Sequence, residues 1–598
     1  MRVAKWITIN RVALLALGLG CGGQSSYGAS LTGPTAATSA PGVDSMRAPE
    51  VSGFVNTPPV VYALSSDATG VSEVVNNIAN LTVVSRDRQV LKAEYQAGFI
   101  QGHMQGKSIR DARDNAWVGL LYDGSEMPVD QVVVVNSIVN QNFNFFLHYL
   151  RTAPDRQAAR GLTRLLFRML GIYHGATRAH PANLDFSGRF LPDASYFRPG
   201  ELVTGYGTPA LTFMDVYFTN AVEDVTDVYW NLPAPEATEA AAATTLTAAR
   251  AAPAHRIPRN PFWRNVNPLR CSAFLKRAKN GELILAHNSW FWFLSQTMSM
   301  TIDVNGDRVS MNTLSPGLIG SLTDFGFNNK GLMFNETTNA YGYTEAKADG
   351  IFIFWRAALA EELAGSLDEF FHDISIDNTG TYMNAYMVAD ANSGEMGLVD
   401  MSYKSFVFFR SNGGPYTVTT LPPGQAADYD TTMVTPDYIL GFNYPPSALV
   451  QSELQASPPD WVDRVTELGL LVPDVEDVAS AKAVITNTDP QPRGAIYSRF
   501  DLADENGIPI GPHPEYGIAP FGAIDAKVVT ATMVRQANRL SGTIDLASPA
   551  SSFWMRWGTP YYEGKPFIWS ESAFASWPHP GVPNVLGGTF TRLKLHLK

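Results

Sequence analysis

Short apolar runs separated by Asn- and Gly-containing turns follow one another from residue 271 onward, and this pattern constrains the fold more than any other. Cys271–Arg277 and Glu282–His287 flank a turn at 279–281, where Asn-Gly is a strong signal for a β-hairpin. Similar turns at 305–307 and 391–394 separate later pairs of runs. Successive hairpins predict antiparallel sheets with helices packed outside them. The further strands expected are Thr301–Val304, Arg308–Met311, Leu332–Thr338, Tyr382–Asp390, Glu395–Met401 and Ser405–Arg410.

Helical patterns dominate the earlier part of the chain. Apolar residues recur at three- and four-residue spacing in Glu94–Gly106, Val132–Leu150 and Ala158–Gly171, and a further helix is expected over Ile351–Leu367. Residues 233–270 are rich in Ala and Pro and lack an apolar stripe, so a helix there would gain nothing from packing. The sequence therefore predicts a linker or propeptide at 233–270, between a segment at 59–232 and a segment at 271–598.

The N-terminus has the character of a targeting segment. Residues 1–20 combine a positively charged start with a short apolar run, which is typical of a signal peptide. Gly18-Leu19-Gly20-Cys21 resembles a bacterial lipobox, in which the cysteine is lipidated, and residues 21–58 predict a flexible tether. We expect a lipid-anchored protein of the bacterial cell envelope; the alternative is a soluble periplasmic or extracellular protein.

Charge and cysteine content exclude several classes of function. A formal net charge of -12 argues against nucleic-acid binding. Two cysteines, Cys21 and Cys271, exclude a disulfide framework and a cysteine-based zinc cluster. The chain contains neither the G-x-S-x-G motif of serine lipases nor the H-E-x-x-H motif of zinc proteases.

Cys271 begins a predicted strand directly after the linker. Cleavage of the chain before this residue would leave a free α-amine beside a thiol, which is the N-terminal nucleophile arrangement. An α-amine has a pKa of about 8 and accepts the thiol proton, so one residue supplies both nucleophile and base. The alternative is a buried structural cysteine.

Several motifs occur in the order found in the phospholipase B-like family, and the chain resembles that family over about residues 60–598. The matching segments are Arg270–Lys276, Ala286–Trp290, Asn335–Asn339, Gly380–Asn384, Ala495–Leu502, Pro520–Lys527 and, in the first part, Glu94–Phe99. The resemblance extends to the acyl-amide hydrolases that cleave conjugated bile salts and penicillins.

This resemblance implies an α+β fold, the αββα Ntn-hydrolase sandwich of antiparallel sheets covered by helices. Residues 59–232 and 271–598 would form its two halves. It also implies self-cleavage between Arg270 and Cys271, with the two chains remaining associated. Neither a metal nor a cofactor is expected.

The resemblance assigns roles to individual residues. The expected catalytic residues are Cys271 as nucleophile, His287 orienting or polarising the thiol or amine, and Asn384 as oxyanion donor. The expected supporting residues are Trp290 as a pocket wall, Thr337 or Thr338 near the amine, Arg499 paired with a carboxylate, and Asp525. Each also has a structural interpretation, such as cross-strand pairing for the threonines.

The chemistry leaves the substrate open. A cysteine thiolate attacks esters and amides through the same tetrahedral intermediate. We expect deacylation of phospholipids. The alternatives are an amidase acting on N-acyl amides and a non-catalytic, envelope-anchored lipid-binding protein on the same scaffold.

Overall fold

Two large β-sheets lie face to face in the computed structural model of the chain. The structure describes residues 55–121, 129–181, 184–187, 201–232, 271–306, 308–321, 325–340, 342–456, 462–489, 494–511, 517–540, 543–558 and 566–597. The predicted signal peptide (1–20), Cys21, the linker (233–270) and Arg270 lie outside these residues, as does nearly all of the predicted tether (21–58). The interpretations made of them, including the envelope location, stay predictions.

The first sheet has eleven strands in the order β1-β2-β3-β6-β7-β8-β9-β10-β11-β12-β13. Neighbouring strands pair antiparallel except at one junction, β3 with β6, which is parallel. The strands are β1 (Thr57–Ser65), β2 (Ala68–Val75), β3 (Ile78–Ser85), β6 (Met298–Val304), β7 (Arg308–Leu314), β8 (Phe325–Asn328), β9 (Leu332–Thr338), β10 (Asn384–Asp390), β11 (Met396–Met401), β12 (Phe406–Ser411) and β13 (Thr417–Leu421).

The second sheet has the order β14-β4-β5-β16-β17-β20, and β15 pairs separately with β5. A two-stranded sheet is formed by β18 and β19. The strands are β4 (Cys271–Arg277), β5 (Leu283–Trp292), β14 (Tyr438–Gly441), β15 (Phe521–Ala523), β16 (Asp525–Thr530), β17 (Ala550–Trp557), β18 (Phe567–Ile568), β19 (Val585–Leu586) and β20 (Thr591–Leu595).

Helices cover the outer face of each sheet. In the first layer α1 packs on β2 and β3, α6 on β7 and β8, and α7 on β10; in the other, α10 packs on β5 and β16 and α11 on β17. The helices are α1 (Val90–Leu121), α2 (Val129–Thr152), α3 (Arg156–Thr177), α4 (Phe213–Asn220), α5 (Val222–Asn231), α6 (Ile353–Leu363), α7 (Leu367–Ser375), α8 (Ala448–Leu454), α9 (Val462–Leu471), α10 (Val478–Ile485) and α11 (Ala531–Ala537).

Side chains bridge the two sheets directly. Asn335 Nδ2 on β9 donates to the carbonyl of Ala286 on β5 at 3.1 Å. The rings of Phe325 and Phe553, from β8 and β17, have centroids 5.5 Å apart. These contacts join the inner faces of the sheets, and the α+β class and the αββα layer order are confirmed.

The turn chemistry explains why the hairpins could be predicted. The β6–β7 turn has Asn305 and Gly306 at φ 60° and 73°, in the left-handed region that these two residue types tolerate best. The predicted helix over Ile351–Leu367 is wrong as a single element. Ser366 begins a new helix there, because its hydroxyl accepts from the Glu369 N–H and caps α7.

Three strands in the first part of the chain differ from the helix-rich expectation. β1, β2 and β3 precede α1, and β1 begins at Thr57, inside the predicted tether. Asn76 and Asn77, at φ 51° and 67°, form the turn between β2 and β3. This Asn-Asn turn is the local signal that distinguishes the segment from a helix.

Through β3 the first part of the chain joins the same sheet as the second. The parallel register runs from Ala79 opposite Met298 to Ser85 opposite Val304. Within the described ranges, no helix has both the length and the apolar character needed to cross a membrane. In the same part of the chain, no group of three or more His, Cys, Asp or Glu side chains is arranged to hold a metal ion.

Close contact between α1 and α3 depends on glycines that face the opposite backbone. A Cβ on Gly98 of α1 would lie 2.0 Å from the carbonyl oxygen of Arg168, and one on Gly171 of α3 would lie 2.1 Å from that of Tyr95. Neither carbonyl can move without shifting a helix. The two helices therefore approach more closely than any side chain at these positions would permit.

Gly98→Ala should lower the free energy of unfolding by about 1–3 kcal/mol, because the added methyl group forces the helices apart. Gly469→Ala is the matched control: a methyl group on this helical glycine of α9 would have no other atom within 4 Å. The control should be neutral or stabilise by up to about 1 kcal/mol. Urea unfolding of both variants measures the difference. Equal stabilities would contradict the proposed backbone contact.

Candidate active site

Cys271 occupies the first position of β4, at the edge of the inner core. Its side chain is buried and its thiol is not part of a disulfide. The hairpin register sets Cys271 opposite Ser289 and Ala273 opposite His287. Because residues two apart on a strand share a face, Cys271, Ser289 and His287 lie on one face of the sheet.

Two side chains from distant parts of the chain hold the backbone of Cys271. Its nitrogen donates to Asn443 Oδ1 at 2.9 Å, and its carbonyl accepts from Arg464 Nη1 at 2.7 Å. Arg464 Nη1 also donates to Asn443 Oδ1 at 3.1 Å, and Asn443 Nδ2 donates to the carbonyl of Thr338 at 2.8 Å. The two donors on Oδ1 fix the orientation of the amide, so the nitrogen of Cys271 has a defined acceptor.

Arg464, which holds the Cys271 carbonyl, is a buried cation. It lies on α9 with its guanidinium 4.5 Å from the centroid of the Trp290 ring. Burial lowers the pKa of Arg464 to about 9, and the nearby Cys271 opposes that effect. Arg464 therefore stays charged at neutral pH and stabilises a thiolate on Cys271.

The sequence interpretation missed Asn443 and Arg464. They lie 172 and 193 residues after Cys271, so no local spacing relates them to it. Asn443 has φ 67°. An asparagine in a turn followed by two prolines is a weak signal of that conformation, and Arg464 gives no local signal.

His287 is fully buried on the same face as Cys271. It lies opposite Lys527 of β16, and both of its ring nitrogens are buried. Burial and the positive charge of Lys527 lower the pKa of His287 well below its ordinary value, although the backbone of Glu336 opposes them. The imidazole is therefore neutral. A neutral ring can orient a neighbouring group but cannot serve as a permanent positive charge in the site.

Trp290 lines the same cavity as Cys271. Its indole Nε1 donates to the carbonyl of Ile496 at 3.1 Å, which fixes the ring against Arg464. The structure thus brings together Cys271, His287 and Trp290 of the residues selected from the sequence.

Asn384 is not brought to Cys271. In the amide orientation that satisfies both of its polar atoms, its oxygen accepts from the Tyr386 hydroxyl and its nitrogen donates to Glu336, each at 3.2 Å. Tyr386 faces α7, since its ring centroid is 6.0 Å from that of Phe370. The side chain of Asn384 therefore lies on the helix-covered face of its sheet, and Asn443 is the amide beside Cys271.

The two threonines take different positions. Thr337 faces β14 closely enough that a Cβ on Gly441 would lie 2.7 Å from its methyl group. The carbonyl of Thr338, and not its hydroxyl, bonds to Asn443. The Thr338 hydroxyl is buried without a hydrogen-bond partner.

Arg499 and Asp525 belong to separate polar groups. Arg499 forms a two-pronged ion pair with Asp501, at 2.8 and 2.6 Å, and so pairs with a carboxylate as expected. Asp525 Oδ1 accepts from Lys527 Nζ at 2.6 Å and from the backbone N–H of Ser289 at 3.0 Å. Asp525 therefore holds Ser289, the residue that lies opposite Cys271 in the hairpin.

A cavity of about 90 Å³ opens beside Cys271 and is lined mainly by apolar side chains. Residues of α1 and α5 form one wall, and Cys271, Ser289 and Trp290 contribute to the other. Among the described lining residues, Glu223 is the one charged side chain. Both parts of the chain are thus needed to enclose the space next to the thiol.

Comparison with known proteins identifies related sequences. A family model described as Phospholipase B matches residues 201–454. Phospholipase B-like 1 of Rattus norvegicus is 25% identical over 362 residues, covering 54% of this chain and 58% of that protein. Phospholipase B-like protein A of Dictyostelium discoideum is 23% identical over 338 residues, covering 50% and 56%. The chain thus matches a little over half the length of these relatives, and the predicted resemblance is confirmed.

A solved structure, a mutant conjugated bile acid hydrolase from Clostridium perfringens, is 10% identical and covers 54% of this chain and 96% of that one, at a TM-score of 0.24. That score is low, and the fold assignment depends on the layers and strand orders described above.

His287 predicts a pH dependence of stability. The folded chain keeps the imidazole neutral, whereas the unfolded chain protonates it below the ordinary pKa of 6.5. The group therefore makes folding less favourable as the pH falls below that value. Asp224 and Asp400, whose pKa values burial raises to about 7, have the opposite effect on wild type, so a variant comparison is required.

Relative to His287→Gln, the free energy of unfolding of wild type should fall by about 1.4 kcal/mol for each pH unit below the ordinary histidine pKa. Above that pKa the difference should be constant. Urea unfolding across a pH series measures it. A difference that does not change with pH would show that His287 takes up its proton in the folded state.

Proposed function

From the similarity to the phospholipase B-like family, we propose that this protein is a hydrolase that self-cleaves before Cys271 and then deacylates phospholipids through the Cys271 thiol. The observation that carries this proposal is a pair of hydrogen bonds to a buried cysteine that lines the cavity. Asn443 accepts from its backbone N–H, and Arg464 donates to its backbone carbonyl. Every buried backbone N–H and C=O needs a partner, and here the partners are an amide and a guanidinium from distant parts of the chain. Here the nitrogen that becomes an amine on self-cleavage has a fixed acceptor, Asn443 Oδ1.

Self-cleavage begins when the Cys271 thiol attacks the carbonyl carbon of Arg270. The C–N bond breaks as a C–S bond forms, which converts the peptide into a thioester and leaves a free amine on Cys271. Water then hydrolyses the thioester, giving a carboxylate on Arg270 and restoring the thiol. Asn443 Oδ1 already accepts from the nitrogen that becomes this amine.

In turnover the α-amine accepts the thiol proton, and the thiolate attacks the carbonyl carbon of the substrate. The tetrahedral intermediate collapses to a thioester as the ester C–O bond breaks, and the departing lysophospholipid oxygen takes a proton from the ammonium group. Water hydrolyses the thioester and frees the fatty acid. The apolar walls of the cavity suit an acyl chain, and the buried Arg464 favours the thiolate.

The two chains produced by cleavage would stay together. The parallel ladder between β3 and β6 joins residues 79–85 to residues 298–304, on opposite sides of the cleavage site. Buried strand hydrogen bonds are costly to expose, so this ladder holds the fragments without a covalent link.

An amidase acting on N-acyl amides is the second candidate. Among the described residues that line the cavity, the one charged side chain is acidic, Glu223, so none of them offers a phosphate group a cationic partner. An N-acyl amide requires none. The thiol chemistry is the same for both substrates.

Self-cleavage predicts two co-purifying chains, the second beginning at Cys271. Wild type should give two bands on a denaturing gel, and Cys271→Ala one. Asn443→Ala should slow cleavage about tenfold or more, since it removes the acceptor that orients the nitrogen. N-terminal sequencing of the larger species, residues 271–598, identifies the bond. Two bands from Cys271→Ala would exclude the thiol from the processing step.

Hydrolysis predicts release of fatty acid from a panel of phospholipids and N-acyl amides, measured by mass spectrometry and referred to the cleaved fraction. Alkylation of the thiol should abolish it. Asn443→Ala should lose more turnover than Asn384→Ala, since only Asn443 contacts Cys271. A larger loss from Asn384→Ala would restore Asn384 as the oxyanion donor. Cleaved protein with no turnover on the whole panel would favour the lipid-binding alternative.

A further inference from the structure

We propose that Tyr382 closes the inner end of the cavity beside Cys271 and thereby limits the length of the acyl chain that the site accepts. The inference rests on the proposed function and deepens it, because it concerns the acyl group that the Cys271 thiol would remove. A second, smaller cavity on the other side of Tyr382 carries the argument.

This second cavity, of about 10 Å³, lies next to the first cavity, the one that Cys271 lines. Residues that are neighbours along the chain divide between the two cavities. Thr219 lines the first and Asn220 the second, and likewise Leu318 lines the first and Gly320 the second. Residues one or two positions apart are separated by roughly 7 Å at most. The partition between the two cavities is therefore thin.

Tyr382 belongs to this partition. Of the described residues, it alone lines both cavities, and it is buried. Its φ is 44°, in the left-handed region, which a bulky residue adopts only where the surrounding structure holds it. The position of its side chain is therefore set by contacts with the rest of the fold.

Two hydrogen bonds fix Tyr382 between the cavities. Its backbone N–H donates at 2.6 Å to Asp227 Oδ2 on α5, the helix whose residue Thr226 lines the first cavity. Its hydroxyl donates to Glu336 Oε1 at 3.1 Å. Glu336 lies directly opposite Tyr386, which lines the second cavity, and opposed residues share a face of the sheet. The ring therefore extends from the wall of the first cavity toward the second.

A closed cavity limits the length of an acyl chain that is bound at Cys271. Each methylene group that leaves water for an apolar cavity favours binding about fourfold. A methylene group that reaches Tyr382 must instead displace packed side chains, which is unfavourable. The value of kcat/KM should therefore rise with chain length up to a limit and fall beyond it.

Tyr382→Leu should move this limit to longer chains, because the shorter side chain joins the two cavities. The substrates are phospholipids and N-acyl amides with saturated chains from acetyl to stearoyl. Chains just beyond the wild-type limit should gain about tenfold or more in kcat/KM. Tyr382→Phe, which keeps the ring and loses only the hydroxyl, should keep the wild-type limit.

Tyr386→Leu is the matched control. It also replaces a buried tyrosine, but among the described lining residues Tyr386 belongs to the second cavity alone. The change should enlarge that cavity without opening the partition, so the limit should stay at its wild-type length. If Tyr382→Leu keeps the wild-type limit, or if Tyr386→Leu moves it as far, Tyr382 does not close the first cavity.

Binding of free fatty acids tests the same limit without turnover. Acids of the same series are titrated into the purified protein, and calorimetry gives each Kd. The Kd should fall with chain length up to the limit in wild type, and up to a longer chain in Tyr382→Leu. If Tyr382→Leu does not fold, wild type still decides the issue, because an affinity and a kcat/KM that rise through stearoyl would refute a closed cavity.

The two measurements also separate this inference from the proposed function. A protein that binds the acids with the expected limit but releases fatty acid from no substrate would refute the proposed function and keep the role of Tyr382. Hydrolysis at similar rates for every chain length would keep the function and refute that role. A wild type that neither binds the acids nor hydrolyses the substrates would refute both.

Discussion

The backbone of Cys271 forms hydrogen bonds to side chains, whereas a strand residue ordinarily bonds to the backbone of a neighbouring strand. The rest of the site depends on these two side-chain bonds. A buried N–H and C=O must find partners. Asn443 and Arg464 supply them, at 2.9 and 2.7 Å. Cys271 lies opposite Ser289 in the hairpin, and both residues line the cavity.

The same two hydrogen bonds connect Cys271 to distant parts of the fold. Arg464 comes from α9, Asn443 follows β14, and the carbonyl that holds the Asn443 amide belongs to Thr338 on β9. Both sheets therefore meet at Cys271. Residues of α1 and α5 close the cavity above it, and the parallel β3–β6 pair fixes that part of the chain to the first sheet. The two segments on either side of the predicted linker belong to one sheet.

Features carried by adjacent residues were predictable from the sequence, and features that depend on distant contacts were not. The hairpins at Cys271 and at Asn305-Gly306 follow from local turn chemistry. Strand alternation then puts His287 on the face of Cys271. Asn384 was selected from a motif that identifies its strand but not the face of the sheet on which its side chain lies. In the folded chain that side chain forms its hydrogen bonds on the helix-covered face. Asn443 and Arg464 reach Cys271 only in the folded chain.

In the proposed mechanism, the Cys271 sulfur forms a bond to the acyl group of the substrate. Mass spectrometry of the cleaved protein, quenched in acid during turnover and digested, tests it directly. The account predicts a fatty acyl thioester on the peptide that begins with Cys271, absent after treatment with hydroxylamine. Turnover that proceeds with the acyl group on another residue, or after Cys271 has been replaced by Ala in an otherwise correctly cleaved chain, would contradict it.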